Sequence, residues 1–279
     1  MNLITTIKEM QTLARQWRAA GQRIAFVPTM GNLHAGHLAL VKQAAVGADR
    51  VVVSIFVNPL QFNERDDFTG YPRTLDADRQ QLAGHPVDAV FAPDEAELYP
   101  AGRDATTRVE VPLLSDILEG ASRPGHFRGV TTVVTKLFHC VLPDVALFGE
   151  KDFQQLLVIR RMVADLDFSV EIIGCPTVRE PDGLAMSSRN ARFSDEQRKR
   201  APHLYRVLCA VRDRIRRGAG DFPALEQQAN RDLVAAGLEP EYVAIRRAAD
   251  LAEPRGGEEL VIVAAARLGT TRLIDNLRV

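Results

Sequence analysis

Two histidines three residues apart, His34 and His37, stand in the segment Pro28-Thr-Met-Gly-Asn-Leu-His-Ala-Gly-His37. On a helix that spacing puts both imidazoles on one face. An apolar run, Ile24 to Val27, precedes the segment, and a helix-like stretch, Leu38 to Ala45, follows it. A strand, a glycine-bearing turn and a helix start together make an anion site. The first helical N–H groups lack intrahelical partners, and the helix dipole is positive there. Gly36 allows a ligand close to the backbone. The chemistry implied is binding or protonation of a phosphate as charge develops on it, and hence nucleotide chemistry.

Further segments carry reactive or polar side chains. In Phe56-Val-Asn-Pro-Leu-Gln-Phe62, the neutral amides Asn58 and Gln61 suit a hydroxyl- or carboxylate-bearing small molecule, although Asn-Pro is also an ordinary turn. In Phe148-Gly-Glu-Lys-Asp-Phe-Gln-Gln155, Lys151 is a point charge for a phosphate or carboxylate, and Gly149 frees the backbone at a turn. Asp152 reads equally as a helix cap, and Gln155 lies a turn further on. Ala185-Met-Ser-Ser-Arg-Asn190 offers two hydroxyls and a guanidinium fork that suit a triphosphate. Ser122 to Gly129 concentrates Arg123, His126 and Arg128 before a helix, as an anion site or as surface charge. Asp76 and Asp78 are either Mg²⁺ contacts beside a polyphosphate or an acidic helix start. The polar stretch 63–71 is a candidate lid or a surface loop.

The elements that must position these residues alternate. Helix-like segments span 7–20, 34–47, 75–84, 129–140 and 153–165, and strand-like runs span 23–27, 50–57, 88–92, 145–148 and 169–174. Short apolar strands alternating with helices predict an α/β fold with a doubly wound parallel sheet. Ligands in such sheets bind at the carboxyl ends of the strands. The segments after Val27, Val57 and Phe148 should therefore converge. Beyond Glu180-Pro-Asp-Gly183 the pattern changes to helices at 195–218 and 222–237 and strands at 242–246, 260–266 and 271–274. Two domains are expected, 1–180 and a smaller α+β domain at 181–279.

Composition narrows the function classes. The 279 residues are 46% hydrophobic and 25% charged, with a net charge of −1, so no general affinity for nucleic acid or anionic membrane is implied. Cys140, Cys175 and Cys209 form no C-x-x-C pair, which argues against a disulfide framework or a cysteine zinc site. The first ten residues lack a basic stretch followed by an apolar core, and no apolar run approaches the ~20 residues of a membrane span. A cytoplasmic protein is expected. The arginines between Arg212 and Arg217 read as a solvated helix face.

Taken in order, these motifs resemble those of a known family. Pro28 to His37 is similar to the H-x-G-H signature of the nucleotidyltransferase superfamily that includes class I aminoacyl-tRNA synthetases. Met186-Ser-Ser-Arg-Asn190 resembles its K-M-S-K-S loop, with Ala185 and the Ser188-Arg189 pair replacing lysines and serine. With Phe56 to Phe62, Tyr71-Pro-Arg-Thr74, Arg123-Pro-Gly-His-Phe-Arg-Gly129 and Phe148 to Leu156, the set resembles the pantoate–β-alanine ligase family over essentially the whole chain.

The resemblance implies a Rossmann-like parallel sheet, a C-terminal domain that closes over the site, a homodimer, and an ATP- and Mg²⁺-dependent condensation through an acyl adenylate. It implies ATP contacts at Met30, Gly31, Asn32, Leu33, His34, Ala35, Gly36 and His37, at Gly149, Glu150, Lys151 and Asp152, and at Val178, Met186, Ser187, Ser188 and Arg189. His34, His37 and Lys151 would act on the phosphates, with His37 as proton donor. Gln61 and Gln155 would bind pantoate, helped by Arg123 and His126, with Asn58 near the amine substrate and Asp78 at Mg²⁺. Two other readings are weighed: another H-x-G-H nucleotidyltransferase acting on a phosphate ester, and a non-catalytic nucleotide-binding module.

Overall fold

The strand–helix alternation of the first 175 residues folds, in the computed structural model, into one six-stranded parallel sheet with order β1-β4-β3-β2-β5-β6. The structure describes residues 1–63 and 65–279. In chain order the elements are β1 (Asn2–Ile4), α1 (Ile7–Ala19), β2 (Ile24–Thr29), α2 (Ala35–Ala44), β3 (Arg50–Ile55), α3 (Arg65–Thr69), α4 (Leu75–Leu82) and β4 (Ala89–Phe91). They continue with α5 (Glu95–Leu98), α6 (Glu119–Ser122), α7 (His126–Val141), β5 (Val145–Gly149), α8 (Phe153–Asp165) and β6 (Glu171–Cys175). Alternation along the strands feeds two cores. Ala25 and Val27 of β2 pack with Val51 and Val53 of β3 and with Leu40 and Val41 of α2. Phe26 points to the opposite face and meets Phe138 of α7 edge-on, ring centroids 6.3 Å apart. Helices on both faces explain why β2 is apolar along nearly its whole length.

The chain divides into two compact units, Met1–Glu150 with Val158–Cys175, and Lys151–Leu157 with Pro176–Val279. In the second, α9 (Asp195–Arg200), α10 (His203–Arg216) and α11 (Phe222–Ala235) accompany an antiparallel sheet of β7 (Glu239–Arg247), β8 (Leu260–Leu268) and β9 (Thr271–Arg278). Leu204 and Leu208 of α10, Leu225 and Leu233 of α11, and Ile245, Ile262 and Ala264 of the sheet form its core.

Some expectations need correction. The helix expected over 195–218 is two, broken at Pro202, which lacks the N–H needed to continue α9 and instead stands just before α10. β1 escapes a periodicity reading because it is three residues long; its pairing with β4 makes it a strand. The candidate lid at 63–71 includes Glu64, which lies outside the described residues, and α3 occupies 65–69.

Candidate active site

The sheet order reverses between β2 and β5: β3 lies on one side of β2 and β5 on the other, and the chain crosses over to reach β5. Ligands in doubly wound sheets bind outside the carboxyl ends of strands at such a switch. Three of the segments singled out above follow β2, β3 and β5 at that edge.

The loop after β2 is held open by one carboxylate. Gly31 and Asn32 take left-handed backbone angles, φ +78 and +51. Asp78 of α4, 1% exposed, accepts the Asn32 N–H at 3.0 Å, the Leu33 N–H at 2.7 Å and the Thr74 hydroxyl at 3.1 Å. A Cβ at Gly31 would lie 2.9 Å from Asp78 Oδ2, so glycine is required for packing as well as for φ. Leu33 lends its backbone to this clamp while its side chain enters the core. These contacts give Asp78 a structural role beside the Mg²⁺ contact expected of it. Its oxygens are committed to three donors inside the protein, and it acts as the clamp of the His34 loop. Asp76 is exposed on the same helix.

His34 and His37 form a reciprocal cap at the start of α2. His34 Nδ1 accepts the Gly36 N–H at 3.1 Å, and His37 Nδ1 accepts the His34 N–H at 3.3 Å. The ring centroids are 4.1 Å apart. An imidazole whose Nδ1 accepts carries its proton on Nε2 when neutral. Both rings are therefore fixed as Nε2–H donors. The H-x-G-H spacing thereby gains a physical reading: the first histidine caps by accepting the glycine N–H, and the second closes the box by accepting the first one's N–H. The Gly36 amide, expected to be open for an anion, is occupied by imidazole. Ala35 between them is exposed.

Gln61, in the short 3-10 turn after β3, is gripped on all sides. Its Oε1 accepts from Asn58 Nδ2 at 3.0 Å, and its Nε2 donates to Met30 Sδ at 3.1 Å. Its backbone carbonyl faces His126 Nδ1 at 2.7 Å and accepts from Arg123 Nη2 at 3.2 Å. Arg123 also pairs with the buried Glu119 at 3.1 Å. A Cβ at Gly129 would fall on the Leu60 carbonyl, so α7 can pack this closely on the turn only with glycine there. Gln61 is half-buried, whereas Asn58 (1% exposed) and His126 (6% exposed), which bond to it, are buried. Arg128 is exposed and takes no part in this grip.

Beyond Gly149 at the end of β5, Glu150, Lys151 and Asp152 form a 3-10 turn, and Gln155 lies half-buried in the first turn of α8. The Lys151 carbonyl is fixed by Asn276 Nδ2 of β9 at 2.9 Å.

The loop carrying Met186 to Arg189 is anchored within the second unit. Met186 N–H donates to the Val178 carbonyl at 3.0 Å, and Ser187 Oγ accepts the Arg189 N–H at 3.3 Å. Ser187, Ser188 and Arg189 are half-buried. Behind them Arg179 forks onto Asp275 of β9 at 2.7 and 2.9 Å and stacks on Tyr205 at 3.7 Å. Sequence reasoning missed Arg179, Asp275, Tyr99 and Glu119. No local signal marks Arg179, Asp275 and Tyr99, because their partners lie far away in sequence, whereas Glu119 pairs with Arg123 only four residues on.

A family model described as pantoate-beta-alanine ligase matches residues 2–278. A pantothenate synthetase of Thioalkalivibrio sulfidiphilus is 61% identical over 280 residues, covering 100% of this chain and 98% of that protein. One from Pseudomonas aeruginosa is 55% identical, with 100% and 99% covered. Among solved structures, pantothenate synthetase from Thermus thermophilus matches with a TM-score of 0.91 at 47% identity, covering 99% of both chains. A pantoate-β-alanine ligase from Francisella tularensis, complexed with β-γ ATP and β-alanine, matches with a TM-score of 0.85 at 36% identity, covering 100% of this chain and 97% of that one. With a reciprocal histidine cap at one strand end, a fixed glutamine at the next and a family match that runs nearly end to end, the chain belongs to the pantoate–β-alanine ligase family.

Proposed function

We propose that the protein condenses (R)-pantoate with β-alanine to pantothenate, converting ATP to AMP and pyrophosphate. A pantoate carboxylate oxygen attacks the α-phosphorus and the bond to pyrophosphate breaks, leaving pantoyl adenylate. The β-alanine amine then attacks the acyl carbon, the acyl–phosphate bond breaks and AMP leaves. The observation that carries this reading is the end-to-end match to ligases, one of them solved with an ATP compound and β-alanine.

In this reading Met30 to His37 holds ATP, and the Nε2–H groups of His34 and His37 meet the phosphates as charge develops. Gly149 to Asp152, Val178 and Met186 to Arg189 complete the nucleotide site, with Lys151 and Arg189 neutralising phosphate oxygens. Gln61 and Gln155 bind pantoate. No covalent enzyme nucleophile is required; positioning and charge stabilisation carry both steps.

Magnesium belongs to this reading as a partner of the substrate. No group of three or more metal-ligating side chains occurs among the described residues, and the Asp78 oxygens are committed elsewhere. We assign Mg²⁺ to the triphosphate it enters with, since no cage of the protein's own donors is formed among the described residues. We further propose a homodimer, a cytoplasmic location, and a C-terminal domain (181–279) that closes during turnover. Three free cysteines, two of them buried, and the absence of a membrane-spanning helix among the described residues support the location.

The test is ATP–pyrophosphate exchange. Exchange that depends on pantoate, followed by AMP release when β-alanine is added, is expected. Exchange without pantoate, or none with it, would overturn the reading.

A further inference from the structure

The grip on Gln61 has a polarity as well as a position. The Asn58 side chain makes four hydrogen bonds among the described residues. Its Oδ1 accepts the Leu60 N–H at 3.3 Å and the Tyr99 hydroxyl at 2.7 Å. Its Nδ2 donates to the Gly129 carbonyl at 3.0 Å and to Gln61 Oε1 at 3.0 Å. A backbone N–H can only donate and a backbone carbonyl can only accept, so Leu60 and Gly129 together fix which end of the Asn58 amide is oxygen. Tyr99 reinforces the same choice. It is 2% exposed, and burial holds its phenol well above the ordinary range, so the hydroxyl keeps its proton and donates. The orientation of Asn58 then fixes that of Gln61. The atom facing Asn58 Nδ2 must be oxygen, which turns the Gln61 NH₂ the other way, toward Met30. That NH₂ carries two hydrogens, and the thioether it meets is a weak acceptor. Gln61 is thus preset to offer a donor.

We propose that Tyr99 and Asn58 are positioning residues that set the amide polarity of Gln61, so that this subsite selects a substrate oxygen acting as acceptor. Neither residue touches substrate; both act through Gln61. Tyr99 sits at the end of α5, 41 residues from Asn58, and its hydroxyl is what reaches Asn58 Oδ1. A site with a prearranged donor discriminates strongly against a ligand lacking the matching oxygen, because the donor is then left unpaired.

The inference rests on the pantoate reading of Gln61 given above. The wild-type exchange assay separates the two: if pantoate-dependent exchange is absent in the wild type, the functional reading fails before this one is reached. Given wild-type exchange, three variants are compared. Tyr99→Phe removes only the hydroxyl and is expected to raise the pantoate KM about fivefold to tenfold, the scale of one buried hydrogen bond, with the ATP KM unchanged. Asn58→Asp replaces the amide donor that meets Gln61 Oε1 with an acceptor. It is expected to turn the Gln61 amide over and to raise the pantoate KM further than Tyr99→Phe does. In a Gln61→Ala background, Tyr99→Phe is expected to have no further effect on pantoate binding, since the two act in series. Thermal unfolding and ATP binding, measured on the same proteins, distinguish positioning from general damage. An unchanged pantoate KM in Tyr99→Phe would overturn the proposal. So would equal losses for pantoate and ATP, or additive effects in the double variant.

Discussion

At the scale of single residues, the histidine pair and one aspartate show how a charged or polar side chain can be assigned by what already surrounds it. His37 receives the His34 amide on Nδ1, which leaves Nε2–H as its donor. Removing the ring deletes that donor and loosens the cap together. His37→Ala is expected to lower pantoate-dependent pyrophosphate exchange by at least about a hundredfold, as is Lys151→Ala, the scale of one preorganised oxyanion contact. Near-normal exchange in either variant would refute its assignment. Asp78 makes the opposite case. A Mg²⁺ contact and a loop clamp are both sound readings of an acidic residue near a polyphosphate site, and the sequence alone leaves them open. The clamp follows from two backbone N–H groups that lie 46 and 45 residues earlier in the chain. Asp78→Asn sets an NH₂ against one of these donors. It is expected to destabilise the protein by about 1.5–3 kcal/mol, the range for hydrogen bonds to a charged group. The ATP KM should rise while the Mg²⁺ dependence at saturating ATP stays that of the wild type. Denaturant unfolding and a magnesium titration measure the two, and a shifted magnesium requirement would restore the metal reading.

At the scale of elements, what could be read locally and what could not are set apart by sequence distance. The β2–turn–α2 unit was legible because its apolar run, its glycines and its histidines lie within about four turns of chain, the range over which helix and turn rules operate. The loop at Met186 to Arg189 was recognisable as a motif, but its anchor was not. Arg179 and Asp275 are 96 residues apart, and nothing in Val-Arg-Glu or Ile-Asp-Asn announces the other. The pair is bidentate, stacked on Tyr205, and leaves Asp275 only 3% exposed at its side chain. Arg179→Ala would strand that carboxylate, a change that costs on the order of 3–5 kcal/mol for buried pairs. The expected phenotype is a lower unfolding temperature with faster proteolytic cleavage in the loop, whose backbone bonds at Val178 and Met186 lie beside the lost fork. An unfolding temperature equal to the wild type's would show that the pair is dispensable. Pro202, by contrast, is visible in the sequence: a helical hydrophobic pattern continues across it, and the missing N–H breaks the helix.

At the scale of the whole molecule, alternation of strands and helices was enough to specify a parallel doubly wound sheet, because few topologies bury short apolar strands on both faces. Strand order was beyond a periodicity reading, and with it the switch between β2 and β5 that collects three separate motifs at one sheet edge. That edge matters for the chemistry proposed. An acyl adenylate is a mixed anhydride that water can hydrolyse, and water is present at a far higher concentration than β-alanine. A two-step ligase must therefore hold the intermediate away from solvent until the amine arrives. With ATP and pantoate but no β-alanine, the protein is expected to release pyrophosphate in a burst of about one equivalent per site, after which further release slows sharply because adenylate occupies the site. AMP should remain near zero through the burst and appear promptly when β-alanine is added. Rapid-quench measurement of both products distinguishes this from a leaky site. Continuous AMP formation without the amine, at a rate comparable to turnover with it, would mean that water reaches the acyl carbon freely and that the intermediate is not protected.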